Sequence, residues 1–142
     1  MEAFEFAESK TFAIAGVSRE KKNFGNYVFR KLKEKGYRVL PINPNTAEID
    51  GTVCYANVSA LPDDISHLIV MTSKSQTMLV VESAVRKGIR NIWVQQSSET
   101  AEVIAYADGK SNNFFFKKCI LMYSNPTGMH KFHRIVSDLF KK

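Results

Sequence analysis

Cysteine is scarce in this chain of 142 residues: Cys54 and Cys119 stand far apart, with no histidine near either at ligand spacing. A disulfide framework and a zinc site are therefore not indicated, and both thiols are expected to be reduced and structural. Long apolar runs are missing as well. The longest, Leu68-Ile69-Val70-Met71 and Cys119-Ile120-Leu121-Met122-Tyr123, fall far short of the ~20 residues that cross a bilayer, so no membrane partner is expected. The N-terminal residues 1–6 are acidic and lack the basic flank and apolar core of a signal peptide, which predicts a cytoplasmic protein. No linker, repeat or low-complexity stretch divides the chain, so a single domain over residues 1–142 is expected.

What is present describes a globular fold. Hydrophobic residues make up 44% and charged residues 24%, a balance that supports a sizeable core and excludes disorder as the main state. Twenty Lys and Arg against 14 Asp and Glu give a net charge of +6. The excess gathers at residues 19–22, at 30–38 and in the 131–142 tail, which admits an anionic partner. A modest excess of this kind more commonly coats a solvated face, so nucleic acid is not the expected partner.

One unit recurs along the chain: an apolar run, a polar turn, then a segment of helical period closed by glycine. Thr11-Phe12-Ala13-Ile14-Ala15 is followed by Phe24, Tyr27, Val28 and Leu32 at helical spacing up to Gly36, which suits a left-handed cap. The second run, Tyr37-Arg38-Val39-Leu40-Pro41-Ile42, is stopped by Asn43-Pro44-Asn45. His67-Leu68-Ile69-Val70-Met71 is the third, before a helix with Ser75 as N-cap, Met78, Val81, Ala84 and Val85 on its inner face, and Gly88 at its end. Asn91-Ile92-Trp93-Val94 is the fourth; after it Ser98 is expected to cap a helix through about Asp108. Residues 113–117, or their extension through Met122, supply a fifth strand. Residues 47–64 show no clean period and are read as a short strand near 52–55 and a turn at 61–64. Met129, Phe132, Ile135, Val136, Leu139 and Phe140 predict a terminal amphipathic helix over 129–142, and residues 1–10 form an N-terminal extension.

Continuously apolar short strands separated by helices are the pattern of a parallel sheet covered on both faces. The predicted fold is α/β: a doubly wound, Rossmann-like, five-stranded parallel sheet in one domain.

In such a sheet ligands bind outside the carboxyl ends of the strands, where the strand order reverses. The relevant loops are 16–26, 43–45, 72–75 and 95–98. The first begins with Gly16, which lets backbone approach a phosphate, and carries Gly25 in the opening turn of the helix, where N–H groups and the dipole face an anion. Arg19 and Lys22 add positive charge. This loop matches neither G-x-G-x-x-G nor G-x-x-x-x-G-K-[ST]. An NAD site usually has Asp or Glu at the end of the second strand to hold the ribose diol, whereas this chain has Asn43-Pro44-Asn45. A neutral, proline-stiffened turn leaves room for an adenosine with an extra phosphate, and a 2′-phosphate keeps an NAD(P)-binding redox or sensing domain open as the alternative.

The runs Ala13-Ile14-Ala15-Gly16-Val17-Ser18 and Val39-Leu40-Pro41-Ile42-Asn43-Pro44, with Gly51, Cys54-Tyr55, Leu61-Pro62 and Ile92-Trp93-Val94-Gln95, resemble the small stand-alone CoA-binding proteins, relatives of the nucleotide-binding domain of succinyl-CoA synthetase alpha subunits. The similarity spans roughly residues 10–119. It implies that Gly16, Val17, Ser18 and Arg19 face the phosphates of coenzyme A or an acyl-CoA, with Lys22, Asn23, Phe24, Gly25 and Asn26 at the base of the same pocket. Asn43, Pro44 and Asn45 would border the ribose 3′-phosphate or the adenine. Thr72, Ser73 and Lys74 stand where the family packs the adenine or pantetheine side, in place of the proline-rich segment of the synthetases. Gln95 and Gln96 match the family's Trp-x-Gln element.

Nothing else in the sequence argues for catalysis. The synthetases keep a phosphohistidine on a second domain that has no counterpart in these residues, and the histidines present are His67, His130 and His133. His67 opens a strand and is read as a packing residue; His130 and His133, three apart, would be half a metal site with no carboxylate or cysteine beside them. Asp63 and Asp64 are adjacent and point apart in an extended turn. Ser18 has no histidine expected near it to activate it. Phe114-Phe115-Phe116 and Tyr123 are better placed in an apolar edge strand than on nucleic-acid bases, and the late apolar residues suggest a homodimer surface. The expected role is non-catalytic or regulatory binding of a small nucleotide cofactor.

Overall fold

The computed structural model describes residues 1–123. In chain order the elements are α1 (Ala3–Ala7), β1 (Thr11–Ala15), α2 (Phe24–Glu34), β2 (Arg38–Ile42), β3 (Glu48–Ile49), β4 (Thr52–Val53), β5 (His67–Val70), α3 (Lys74–Lys87), β6 (Asn91–Val94), α4 (Ala101–Ala107) and β7 (Asn113–Phe115), with 3-10 turns at Val58–Ala60, Gln96–Ser98 and Ile120–Met122. Strands β2, β1, β5, β6 and β7 lie in that order in one sheet, and every pairing is parallel. This is the α/β, Rossmann-like, five-stranded parallel sheet that the sequence predicts.

Strands buried on both sides explain why the runs are apolar throughout rather than alternating. Phe12, Ile14, Ile69 and Trp93 point into one core with Phe6, Val28, Phe29 and Leu32. Their neighbours Ala13, Ala15, Leu68, Val70, Ile92 and Val94 point into the other, with Val81, Ala84 and Val103. The period of two in each strand thus divides its side chains between two helical layers. Trp93 is fully buried, with Phe6 at 5.2 Å, Phe115 at 5.4 Å and Tyr123 at 5.5 Å between ring centroids. Each such pair contributes about 0.5–1.5 kcal/mol beyond its buried area.

Helix ends follow local chemistry, and two starts differ from the sequence reading. Asn23 caps α2 by accepting from Asn26 N–H, and Gly36 follows the helix at φ +93. Helix α3 begins at Lys74 with Ser73, not Ser75, in the cap position, and closes on Gly88 at φ 88. Helix α4 begins at Ala101, because Thr100 accepts from Val103 N–H at 3.1 Å while the hydroxyl of Ser98 turns inward and donates to Thr72 O at 2.7 Å. Strand β7 stops at Phe115; Lys117 takes a positive φ of 62, which breaks the extension, and residues 120–122 form a 3-10 turn instead.

Helix α1 and strand β3 are additions to the sequence reading, whereas β4 (Thr52–Val53) is the short strand expected near 52–55. The N-terminal extension folds as α1, held by reciprocal Glu2 and Glu5 capping bonds, and it buries Phe6 completely. Residues 48–53 form the β3–β4 hairpin around Asp50 (φ 47) and Gly51 (φ 76). Asp-Gly between short extended runs is a strong hairpin signal that aperiodic flanks conceal. The helix predicted over 129–142 lies outside the described residues.

Candidate functional site

The chain leaves β1 toward β2 on one side and returns to β5 on the other, so the strand order reverses at the β1–β5 pair. Gly16 follows β1 and Thr72 follows β5 at that point. A cavity of about 510 Å³ opens there, within the usual range for small-molecule sites.

The shape of the loop after β1 depends on missing side chains. Gly16 has φ +96, and a Cβ on it would lie 2.4 Å from Met71 O and 2.8 Å from Thr72 N. Backbone of two strand ends meets here with no room for a methyl group. A Cβ on Gly25 would lie 2.3 Å from Gly16 O, so the first turn of α2 packs directly behind the loop.

Amide side chains then brace the loop. Asn23 Oδ1 accepts from Ser18 N–H at 3.3 Å and Asn26 N–H at 2.9 Å. Asn26, fully buried, donates through Nδ2 to Ser18 O at 2.7 Å and accepts from Arg30 Nε at 2.7 Å. Asn43 Nδ2 donates to Val17 O at 2.8 Å, and its Oδ1 accepts from Asn45 N–H at 2.7 Å, which shapes the turn after β2. Thus Asn43, at the position where an NAD site has its carboxylate, ties the first and second strand ends together.

The far wall is α3. Its inward stripe of Ser73, Gln76, Leu79, Val80 and Ser83 faces Pro44, Asn45, Ala56, Asn57 and Val58 across the cavity. Ser73 makes no side-chain capping bond, and Gln76 N–H is taken by Ser73 O at 2.9 Å, so the positive end of this 14-residue helix stands at the crevice without a side-chain cap. Thr72 and Thr77 share a hydroxyl contact at 2.9 Å that fixes the approach to this helix.

Of the residues singled out in the sequence, Gly16, Val17, Ser18, Asn43, Pro44, Asn45, Thr72 and Ser73 line this one cavity. Arg19 and Lys22 are exposed on the loop beyond Ser18, and Lys74 is exposed at the start of α3. Asn23, Gly25 and Asn26 stand behind the loop as its support. Phe24 is exposed and stacks on Tyr27 at 6.2 Å. Gln95 is buried away from the cavity, where Oε1 accepts from Trp93 Nε1 and Ile120 N–H, both at 3.2 Å; Gln96 is exposed in the adjoining turn.

The strand-end residues Ala15 and Ile42, with Ala56, Asn57, Val58, Gln76, Leu79, Val80 and Ser83, complete the lining and lie outside the site residues read from the sequence. The signal for the α3 members was its helical period: positions 73, 76, 80 and 83 fall on one stripe beside the buried stripe of Val81 and Ala84. Leu79, 61% exposed although apolar, belongs to the same wall.

The lining itself carries no ionisable side chain among the described residues; the exposed Arg19 and Lys74 directly follow the lining residues Ser18 and Ser73 in the chain. Cys54 sits just behind the β2 turn, where burial pushes its thiol up and Sγ–H donates a weak bond to Asn43 O at 3.7 Å. The thiol is therefore held protonated, away from nucleophilic chemistry. His67 lies at the other end of β5, where burial against Phe6 holds its imidazole below the usual value. No group of three His, Cys, Asp or Glu side chains converges among the described residues, and no helix described is long and apolar enough to cross a membrane. His130 and His133 lie outside the described residues.

Comparison with known proteins agrees with this geometry. The chain is similar to an acetate–CoA ligase (ADP-forming) of Methanocaldococcus jannaschii, at 31% identity over 81 residues, which is 57% of this chain and 12% of the ligase. It therefore spans about one eighth of that relative's length. The solved structure of a conserved hypothetical protein from Pyrococcus furiosus is similar at 30% identity with a TM-score of 0.77, covering 80% of this chain and 97% of that one. A hypothetical protein from Pyrococcus horikoshii aligns at 26% identity and a TM-score of 0.76, over 96% of this chain and 93% of that one. With residues 10–125 matching the CoA binding domain family, the chain belongs to that family.

Proposed function

We propose that this chain binds coenzyme A or an acyl-CoA in the β1–β5 cavity as one non-catalytic or regulatory domain, with no covalent step. The observation that carries the reading is Gly16: only a residue without Cβ fits there, and its loop opens onto the cavity at the point where parallel sheets bind nucleotides. The diphosphate would lie between the backbone of residues 16–18 and the first turn of α3, where N–H groups and the helix dipole favour negative charge. Arg19, Lys22 and Lys74 at the rim would add long-range attraction. The adenosine would extend along α3 into the slot between Leu79 and Val80 on one side and Pro44 and Val58 on the other. Ser83 is nine residues beyond Lys74, so the slot reaches ~13 Å down the helix.

The side chains favour binding over turnover. Ser18 Oγ accepts from Glu20 N–H at 3.1 Å, so the hydroxyl serves the loop. At the end of β2 the side chain of Asn43 is committed to Val17 and Asn45, which leaves no carboxylate for a nicotinamide dinucleotide's ribose diol.

Isothermal titration calorimetry with CoA, acetyl-CoA, NADP and NAD tests the proposal, together with native mass spectrometry of freshly purified protein. Saturable binding of CoA or acetyl-CoA is the expected result. Heat from NADP alone would overturn it.

A further inference from the structure

Resting on that reading, we infer that Arg86 holds the phosphomonoester on the ligand's ribose, so that the site prefers CoA to dephospho-CoA. The far end of the cavity is lined by Val58, Leu79, Val80 and Ser83, a neutral slot that suits a nucleoside. A cation adjoins it. Arg86 Nη2 donates to Ser83 Oγ at 3.3 Å, and Ser83 stands one helical turn beyond Leu79. Helical side chains lean toward the N-terminus of their helix, which carries this guanidinium back from the last turn of α3 toward the cavity.

Arg86 differs from the neighbouring cation in having donors to spare. Lys87 is committed, since its Nζ donates to Ser59 O and to Asp63 Oδ1, both at 3.1 Å. Arg86 has no carboxylate within salt-bridge distance among the described residues, Glu82 one turn back included. Its positive charge is therefore not cancelled locally. A guanidinium carries five N–H donors in a planar fork that matches two oxygens of a phosphate, and Arg86, exposed at the end of α3, gives one of them to Ser83. Ser83 Oγ accepts that bond and keeps its own proton, so it can donate to the same phosphate.

A charge-assisted hydrogen bond to a bound phosphate changes affinity by roughly ten-fold or more. CoA should therefore bind about ten-fold tighter than dephospho-CoA at low salt. The contact joins two charges at an exposed position, so the preference should shrink as salt is added. The ribose of NADP carries the same phosphomonoester chemistry, which makes NADP and NAD the comparison that identifies the source of the phosphate.

The test is calorimetric titration of the full chain and of Arg86→Gln with CoA, dephospho-CoA, NADP and NAD at low and moderate salt. The native chain should favour CoA over dephospho-CoA, and Arg86→Gln should bring the two within about three-fold by weakening CoA alone. Arg86→Lys keeps the charge without the fork and should retain an intermediate preference. Equal affinities for CoA and dephospho-CoA in the native chain overturn the inference and leave the CoA reading standing. So does an Arg86→Gln loss that is the same for both ligands, since it would place the guanidinium on a group they share. Binding of neither ligand overturns the reading itself, as does a phosphate preference confined to NADP over NAD.

Discussion

Replacing Gly16 by alanine puts a methyl group 2.4 Å from Met71 O, 2.5 Å from Met71 C and 2.8 Å from Thr72 N. All three atoms are backbone at a strand end, so no side chain can swing aside to make room. Two costs add. An L residue held at φ +96 costs about 1–2 kcal/mol, and overpacking against fixed backbone costs a further ~1–3 kcal/mol. The sum, roughly 2–5 kcal/mol, is a large share of the 5–15 kcal/mol typical of a folded domain, and for a chain of this size it lowers Tm by about 7–17 °C. Gly36 supplies the control, because it has nearly the same dihedral, φ +93, with nothing within 4 Å of the position a Cβ would take. Gly36→Ala should therefore show only the dihedral cost of about 1–2 kcal/mol. Urea titration of both variants, followed by the fluorescence of the buried Trp93, isolates the steric part as their difference. Equal losses within ~0.5 kcal/mol would refute the close approach of the β1 loop to Met71. An alanine variant at Gly16 that folds and binds CoA with full affinity would refute the cradle.

Gly25→Ala should invert the ordinary helix rule: in an open helix it gains about 1 kcal/mol, but a Cβ 2.3 Å from Gly16 O costs ~1–3 kcal/mol, so the gain disappears and a net loss of up to ~2 kcal/mol is readable by thermal unfolding. Asn23→Ala removes both the α2 cap and the Ser18 tie; a loss of about 1–2 kcal/mol in urea titration, with weaker CoA binding by calorimetry, is expected. Arg19→Glu should weaken CoA about ten-fold at low salt and much less at high salt, as screening of an exposed charge requires; a salt-independent deficit contradicts the rim assignment. His67 is held below its usual value of about 6.5 by burial, so the unfolded chain takes up this proton first as pH falls. Its contribution is complete above pH ~6.5 and declines below that, and Tm measured from pH 7.5 to 5.5 should fall less steeply in His67→Phe than in the native chain.

Where sequence reading succeeded, the reason was local. The runs at 11–15, 38–42, 67–70 and 91–94 are apolar on both faces, which only a covered parallel sheet accommodates, and Gly36 and Gly88 mark helix ends because both take positive φ. It stopped short where a residue's role depends on what faces it. Asn23 and Asn26 look from the sequence like pocket residues; in the fold they are braces, since their partners are Ser18 and Arg30. Gln95 carries the Trp-x-Gln pattern, yet its side chain is bound to Trp93 and the 120–122 turn on the other side of the sheet.

The sequence alone determined the class of fold and the position of the glycine loop, because strand period, helix period and conformational freedom at glycine are properties of the chain over a few residues. Tertiary structure decided which side chains share the cavity. The wall of Gln76, Leu79, Val80 and Ser83, and the facing residues 56–58, come together through the packing of α3 against the turn after β4. That meeting joins positions some twenty residues apart, and no local signal in the sequence encodes it.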